Sequence, residues 1–249
     1  MSDINDRNII GVNLDQPIFR VYRKKWFLPI LNEQKDALRN PSTWDDPFEN
    51  FFLKARVEAK NAEGKTEYFD LESLARDWYG QCWTTNCNTD AMWRIYSPCK
   101  DGIQMKTTVR KLFENLKTNV PSNAPHEQFF VGCVKYLKKD QIKSMMSRLN
   151  FADATNDFAK LLCIKREAFE HEAEVRMLFQ DIENPRRGRN CTFHYPLNAN
   201  DVFEEIVLDP RLDDTAAQSL QTELCHAGCT IPIYRSDLYD ASYFTIPLQ

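Results

Sequence analysis

The chain has 249 residues, 43% hydrophobic and 12% aromatic, which excludes a disordered linker and allows a sizeable buried core. Its net charge of -4 argues against a protein that grips nucleic acid by bulk charge. It holds only seven glycines, with no GxGxxG and no GxxxxGK[ST], which argues against a glycine-rich phosphate cradle.

In chain order, residues 1–16 are polar and read as an irregular lead, and residues 17–249 read as one α+β domain without repeat or linker. Ile18 to Arg23 alternates and is rich in β-formers, which predicts a short central strand. Lys24 to Asn40 predicts a helix starting near Pro29. Asp46-Pro47-Phe48-Glu49 carries a capping-box pattern with proline at the first helical position, predicting a helix through Arg56. Lys60 to Lys65 predicts a turn, and Leu71 to Tyr79 a helix. Gln81 to Thr85 predicts a strand, Asp90 to Ser97 a short helix, Gly102 to Thr107 a strand and Thr108 to Leu116 a helix. Gln128 to Tyr136 reads as one long apolar strand, and Lys139 to Leu149 and Asp153 to Leu162 as helices. Ile164 to His171 suits a short helix or an extended lead-in. From Glu172, apolar and charged residues alternate through Phe179, the pattern of a half-buried strand. An arginine-bearing loop, Asn184 to Asn190, precedes strands at Thr192 to Leu197 and Val202 to Leu208, a helix at Asp214 to Ala227 and a last strand at Thr230 to Tyr234.

The eight cysteines, with no apolar leader in MSDINDRNIIG, point to thiols in a reducing cytoplasm. Cys225-His226-x-x-Cys229 resembles a zinc pair, but Cys82-x4-Cys87 is a loose second half, so no metal is expected. No apolar run approaches the length of a membrane span, so no membrane partner is expected.

Three stretches carry polar groups that could do chemistry. Tyr22 and Arg23 close the first strand. Thr84 ends the second strand, and Trp93 and Tyr96 follow on one helical face. Glu172, Glu174 and Arg176 share one face of the late strand. Each has a bland reading too: a strand end, a packed helix face, a solvated ion-paired face.

The order of a Tyr-Arg strand, TWDDPFE, CWT with MWRIYS, GIQM and KREAFEHEAEVRM resembles the bacterial family catalogued as domain-of-unknown-function 2971. The family's usual Asn-Asp-Pro-Phe-Glu departs here at Asp45. The likeness runs from about Tyr22 to the C-terminus. More distantly, the motif order is similar to ADP-ribosyltransferases, which implies a mixed, split β-sheet with surrounding helices. It also implies NAD as substrate, a nicotinamide or phosphate contact set of Tyr22, Arg23, Thr84, Trp93 and Tyr96, and a catalytic carboxylate at Glu174 or Glu172, with Glu174 favoured.

That resemblance implies a toxin or defence effector that moves ADP-ribose to an acceptor, RNA or DNA among the candidates, under an antitoxin or inhibitor protein. NAD hydrolysis and a non-enzymatic interaction module are the alternatives. A nuclease is weaker, since a metal-binding carboxylate cluster is lacking outside the glutamate pair.

Overall fold

The computed structural model describes residues 6–44, 56–60, 63–70, 75–120, 128–146, 154–182 and 191–240. The capping box at Asp46 to Glu49, the helix expected after it up to residue 55 and the arginine-bearing loop lie outside the described residues.

β1 (Ile9–Ile10) and β2 (Pro17–Arg23) come first, α1 (Lys24–Glu33) continues directly from β2, and β3 (Lys35–Arg39) follows. β4 (Arg56–Lys60) and β5 (Thr66–Asp70) form a separate antiparallel hairpin. β6 (Trp78–Thr84), α2 (Asp90–Tyr96), β7 (Gly102–Thr108) and α3 (Val109–Asn119) are next. Then come β8 (Phe129–Cys133), β9 (Lys135–Leu137), α4 (Lys139–Met146), α5 (Ala154–Leu161), β10 (Ile164–Arg166) and β11 (Glu174–Gln180). β12 (Thr192–Pro196), α6 (Ala199–Val202), β13 (Glu205–Leu208), α7 (Asp214–His226) and β14 (Ile233–Arg235) follow.

The main sheet is mixed and runs β1-β8-β11-β6-β2-β7-β13-β14, with β3 bridging β6 to β12. β2 is central, as its aromatic, β-rich sequence predicts. Its two sides differ. β2 follows β7 from Pro17↔Thr108 to Arg23↔Gly102, but meets β6 at one pair, Phe19↔Thr84. The fold is thus α+β with a split sheet: two half-sheets joined at one point and parting beyond it.

Both faces are covered. Val175, Met177 and Phe179 of β11 enter the larger core, with Tyr22, Phe27, Trp83 and Phe113. Leu178 enters a smaller core with Trp78, Phe130, Phe158 and Ile164. Successive strand residues point to opposite faces, so Glu174 and Arg176 share the face of Leu178.

Several elements differ from the sequence reading. Lys35–Arg39 is a strand and not a helix, because Gln34 adopts φ 51 and ends α1, and Leu38 is fully buried opposite Phe193. Trp78 and Tyr79 belong to β6, pairing with Gln180 and Phe179; a strand buried on both faces has no period to read. The long strand from Gln128 breaks at Val134, whose N–H bonds the Glu174 carbonyl, and β9 leaves to pair with β10. In the lead, Ile9–Ile10 adds a parallel strand beside β8. The strand read from Glu172 begins at Glu174, since Glu172 ends a 3₁₀ helix (Glu167–Glu172) and Ala173 is left-handed at φ 44. Val202 to Leu208 splits into the end of α6 and β13.

Close packing at the far end of the β2–β7 pair is testable. A Cβ on Gly102 would lie 2.6 Å from Ser97 Cβ and 3.0 Å from Val21 Cγ1, and Ser97 is fully buried with its hydroxyl donating to Asp209. Gly102→Ala is expected to lower stability by about 1–3 kcal/mol through overpacking. Urea unfolding would read this as a lower midpoint at an unchanged m value.

Candidate active site

The site is built from β10, the 3₁₀ turn and β11. Ala173 reverses the chain between Glu172 and Glu174, and β6 fixes that turn: Thr84 Oγ1 donates to the Glu172 carbonyl at 2.6 Å, and the Thr85 N–H to the Ala173 carbonyl at 3.0 Å. Both carboxylates then meet one ammonium. Lys165 Nζ is 2.7 Å from Glu172 Oε2 and 2.6 Å from Glu174 Oε1. Arg176 Nε donates to Glu174 Oε2 at 2.8 Å, and its Nη1 donates to the Leu162 carbonyl at 2.6 Å. All four side chains are buried.

Burial costs a lone ion several kcal/mol, so pairing is required for these charges to exist here. It also sorts the glutamates. Burial works against ionising Glu174, but Arg176, a hydrogen bond from Glu172 and Lys165 hold it well below the usual carboxylate range. Burial and the proton shared with Glu174 push Glu172 up to about 7, against the pull of Lys165. The pair therefore holds one fixed anion and one carboxyl that titrates near neutrality.

A cavity opens beside this pair where β2 and β6 part. It is lined by Phe19, Arg20, Val21, Cys82, Trp83, Thr84, Met92, Tyr96, Glu172 and Glu174. Of the residues singled out in the sequence, Thr84, Tyr96, Glu172 and Glu174 come together there. Tyr96 is 42% exposed, so its ring is available to a ligand. Tyr22, Arg23 and Trp93 do not line it. Tyr22 is buried and donates to Asp36 at 2.8 Å, Arg23 pairs with Asp101 near the surface, and Trp93 is fully buried with its Nε1 donating to Asn88. One turn of helix separates Trp93 from Tyr96, and the first packs inward.

Sequence reasoning passed over Lys165, Arg20 and Tyr136. Lys165 is adjacent to the glutamates only because β10 pairs with β9 beside the main sheet. Tyr136 of β9 accepts the Glu174 N–H at 2.8 Å. Arg20 lies over the Tyr22 ring at 4.8 Å, and its buried Nη1 meets no hydrogen-bond acceptor among the described residues. The signal for Arg20 was an arginine in the middle of a strand whose neighbours Ile18 and Tyr22 on the same face are core residues.

Among known proteins, the model of the family described as protein of unknown function (DUF2971) matches residues 92–177. That span contains Trp93, Tyr96, Glu172, Glu174 and Arg176, and leaves out Tyr22, Arg23 and Thr84, so it is shorter than the resemblance read from the motifs. No curated protein matches the chain. Among solved structures the chain is similar to Thermus sp. 2.9 DarT in complex with NAD+, at 11% identity and a TM-score of 0.42 over 92% of this chain and 100% of that one. It is similar also to Thermus sp. 2.9 DarT in complex with ADP-ribosylated ssDNA, at 10% identity and a TM-score of 0.43 over 92% and 98%.

Two stability measurements test the charge cluster. Arg176→Met leaves Glu174 buried with one cation fewer, and a loss of about 3–5 kcal/mol is expected in chemical unfolding. For Glu172 the folded pKa lies above the unfolded value of 4.5. Its contribution is thus present at low pH and lost as pH rises through about 7, an effect on the order of 2 kcal/mol. Relative to Glu172→Gln, the natural chain is expected to lose stability between those values in melts across pH. Parallel curves for the two would contradict the assignment.

Proposed function

We propose that the chain is an NAD-dependent ADP-ribosyltransferase that binds NAD where β2 and β6 part and passes ADP-ribose to an acceptor, a nucleic acid among the candidates. The observation that carries this reading is the convergence of Thr84, Tyr96, Glu172 and Glu174, drawn from separate stretches of the chain, on one cavity that also holds Arg20. The motif resemblance read from the sequence points to the same chemistry.

Breaking the nicotinamide–ribose bond sends the bonding electrons out with neutral nicotinamide and leaves positive charge on the ribose, as in glycoside cleavage. Nearby anions stabilise that charge. With Glu172 ionised, the two glutamates balance Lys165 and Arg176; with Glu172 protonated, the cluster carries one net positive charge and opposes the developing cation. Glu174 acts in this reading as the fixed anion. Glu172 takes the acceptor's proton as the acceptor bonds to the ribose carbon. Tyr96 offers a flat ring to the nicotinamide, and Arg20 the donor for a phosphate oxygen. Water as acceptor would make the same site an NAD hydrolase. An enzyme acting on a cell's own nucleic acid would need an inhibitor or antitoxin protein, and that partner is part of the proposal.

Labelled NAD incubated with single-stranded DNA, RNA or protein is the test. A labelled acceptor is expected; free ADP-ribose alone would move the reading to hydrolysis; no turnover together with no NAD binding by calorimetry would overturn both. Glu174→Gln is expected to lower kcat by about 100-fold or more, and Glu172→Gln to remove the rise of activity with pH through about 7. Arg20→Met is expected to raise KM for NAD by about tenfold with little change in kcat.

A further inference from the structure

We propose that Lys165 is a positioning residue, whose single ammonium turns the two glutamates toward one point and favours the anionic form of Glu172. The inference rests on the reading of this cavity as the NAD site, and extends it to a residue outside the cavity wall. Lys165 lies on β10, outside the main sheet, yet its ammonium reaches both carboxylates within 2.7 Å and is the ion-pair partner that Glu172 and Glu174 share. Its stem is fixed as well: the ammonium sits over the Phe169 ring at 4.7 Å, and β10 is in register with β9 at Lys165↔Tyr136. The chain thus uses a strand pair separate from the main sheet to deliver one cation beneath a turn that by itself would hold two repelling carboxylates.

The groups facing the pair come from every side. They are Arg176 on β11, Tyr136 on β9, Tyr96 on α2 and Cys82 on β6, and Cys163 just before β10 faces Glu174. Burial and the two glutamates raise both tyrosines, so neither titrates near neutrality. Burial pushes the Cys163 thiol up to about 12. Of the two cations, Arg176 pairs with Glu174, and Lys165 is the cation that pulls on Glu172.

Lys165→Met and Lys165→Arg in the full chain test this. Removing the cation favours the protonated carboxyl. In Lys165→Met the acid limb of kcat for NAD is expected to move up by about one pH unit, with a fall of about fivefold at pH 7 that approaches tenfold at lower pH, and a KM within about threefold of the natural value. Lys165→Arg is expected to restore the limb. The same displacement should appear in the carboxyl 13C titration of glutamate-labelled protein, which needs no turnover. A folded Lys165→Met with unmoved limb and unmoved 13C titration overturns the proposal. If wild type shows no NAD turnover with any acceptor, the functional reading fails, and the 13C titration still decides the role of Lys165. If Lys165→Met fails to fold, Lys165→Met with Glu172→Gln restores the charge balance and is expected to fold; its failure to do so counts against the proposal.

Discussion

Charges can lie inside this protein only in neutralising company, and the arrangement around Glu174 follows from that constraint. A buried carboxylate with no partner would cost several kcal/mol or take up a proton. Here Arg176, two residues along β11, and Lys165, on a strand outside the main sheet, approach it from different elements. At Val134 the chain leaves the main sheet, and β9 pairs with β10, the strand that carries Lys165. A buried ion pair adds little to stability over an apolar equivalent, yet removing one partner leaves an uncompensated buried charge.

The second constraint is the join between the half-sheets. Every backbone group along a strand edge wants a partner, yet β2 and β6 pair at Phe19 and Thr84 alone. Beyond that pair the strands diverge, and the gap is occupied by a cavity whose walls are side chains from both of them, from α2 and from the glutamate turn. Tight packing flanks the gap: Gly80 leaves no room for a Cβ against Trp44, and Gly102 none against Ser97. Among the described residues, buried apolar clusters lie against both faces of the sheet, and the position of the opening follows from strand register.

Much of the fold was legible because its signals are local. The alternation of β2 and the helical spacing of Val109, Leu112, Phe113 and Leu116 each follow from residues near one another in the chain. β3 and the start of β6 were misread because they are apolar runs or charged runs whose state is decided by distant partners, Phe193 for Leu38 and Gln180 for Trp78. The glutamate pair was visible as two carboxylates with Arg176 beside them, but the reading of a continuous strand put them about 7 Å apart along one face. The left-handed Ala173 instead breaks the alternation and lets both meet one ammonium.

The sequence by itself therefore determined the element types with strong periodicity, the centrality of β2 and the presence and order of the carboxylates, the guanidinium and the aromatic rings. Tertiary structure alone decided which of them meet. Tyr22 and Trp93 turned into the core and Arg23 outward, whereas Arg20, from the core-facing side of the same strand, lines the cavity. Lys165 acquired its place through a strand pairing between segments far apart in sequence. The physical reason is range: periodicity and capping act within a few residues, while cavity lining and charge pairing depend on register between strands that the chain brings together only on folding.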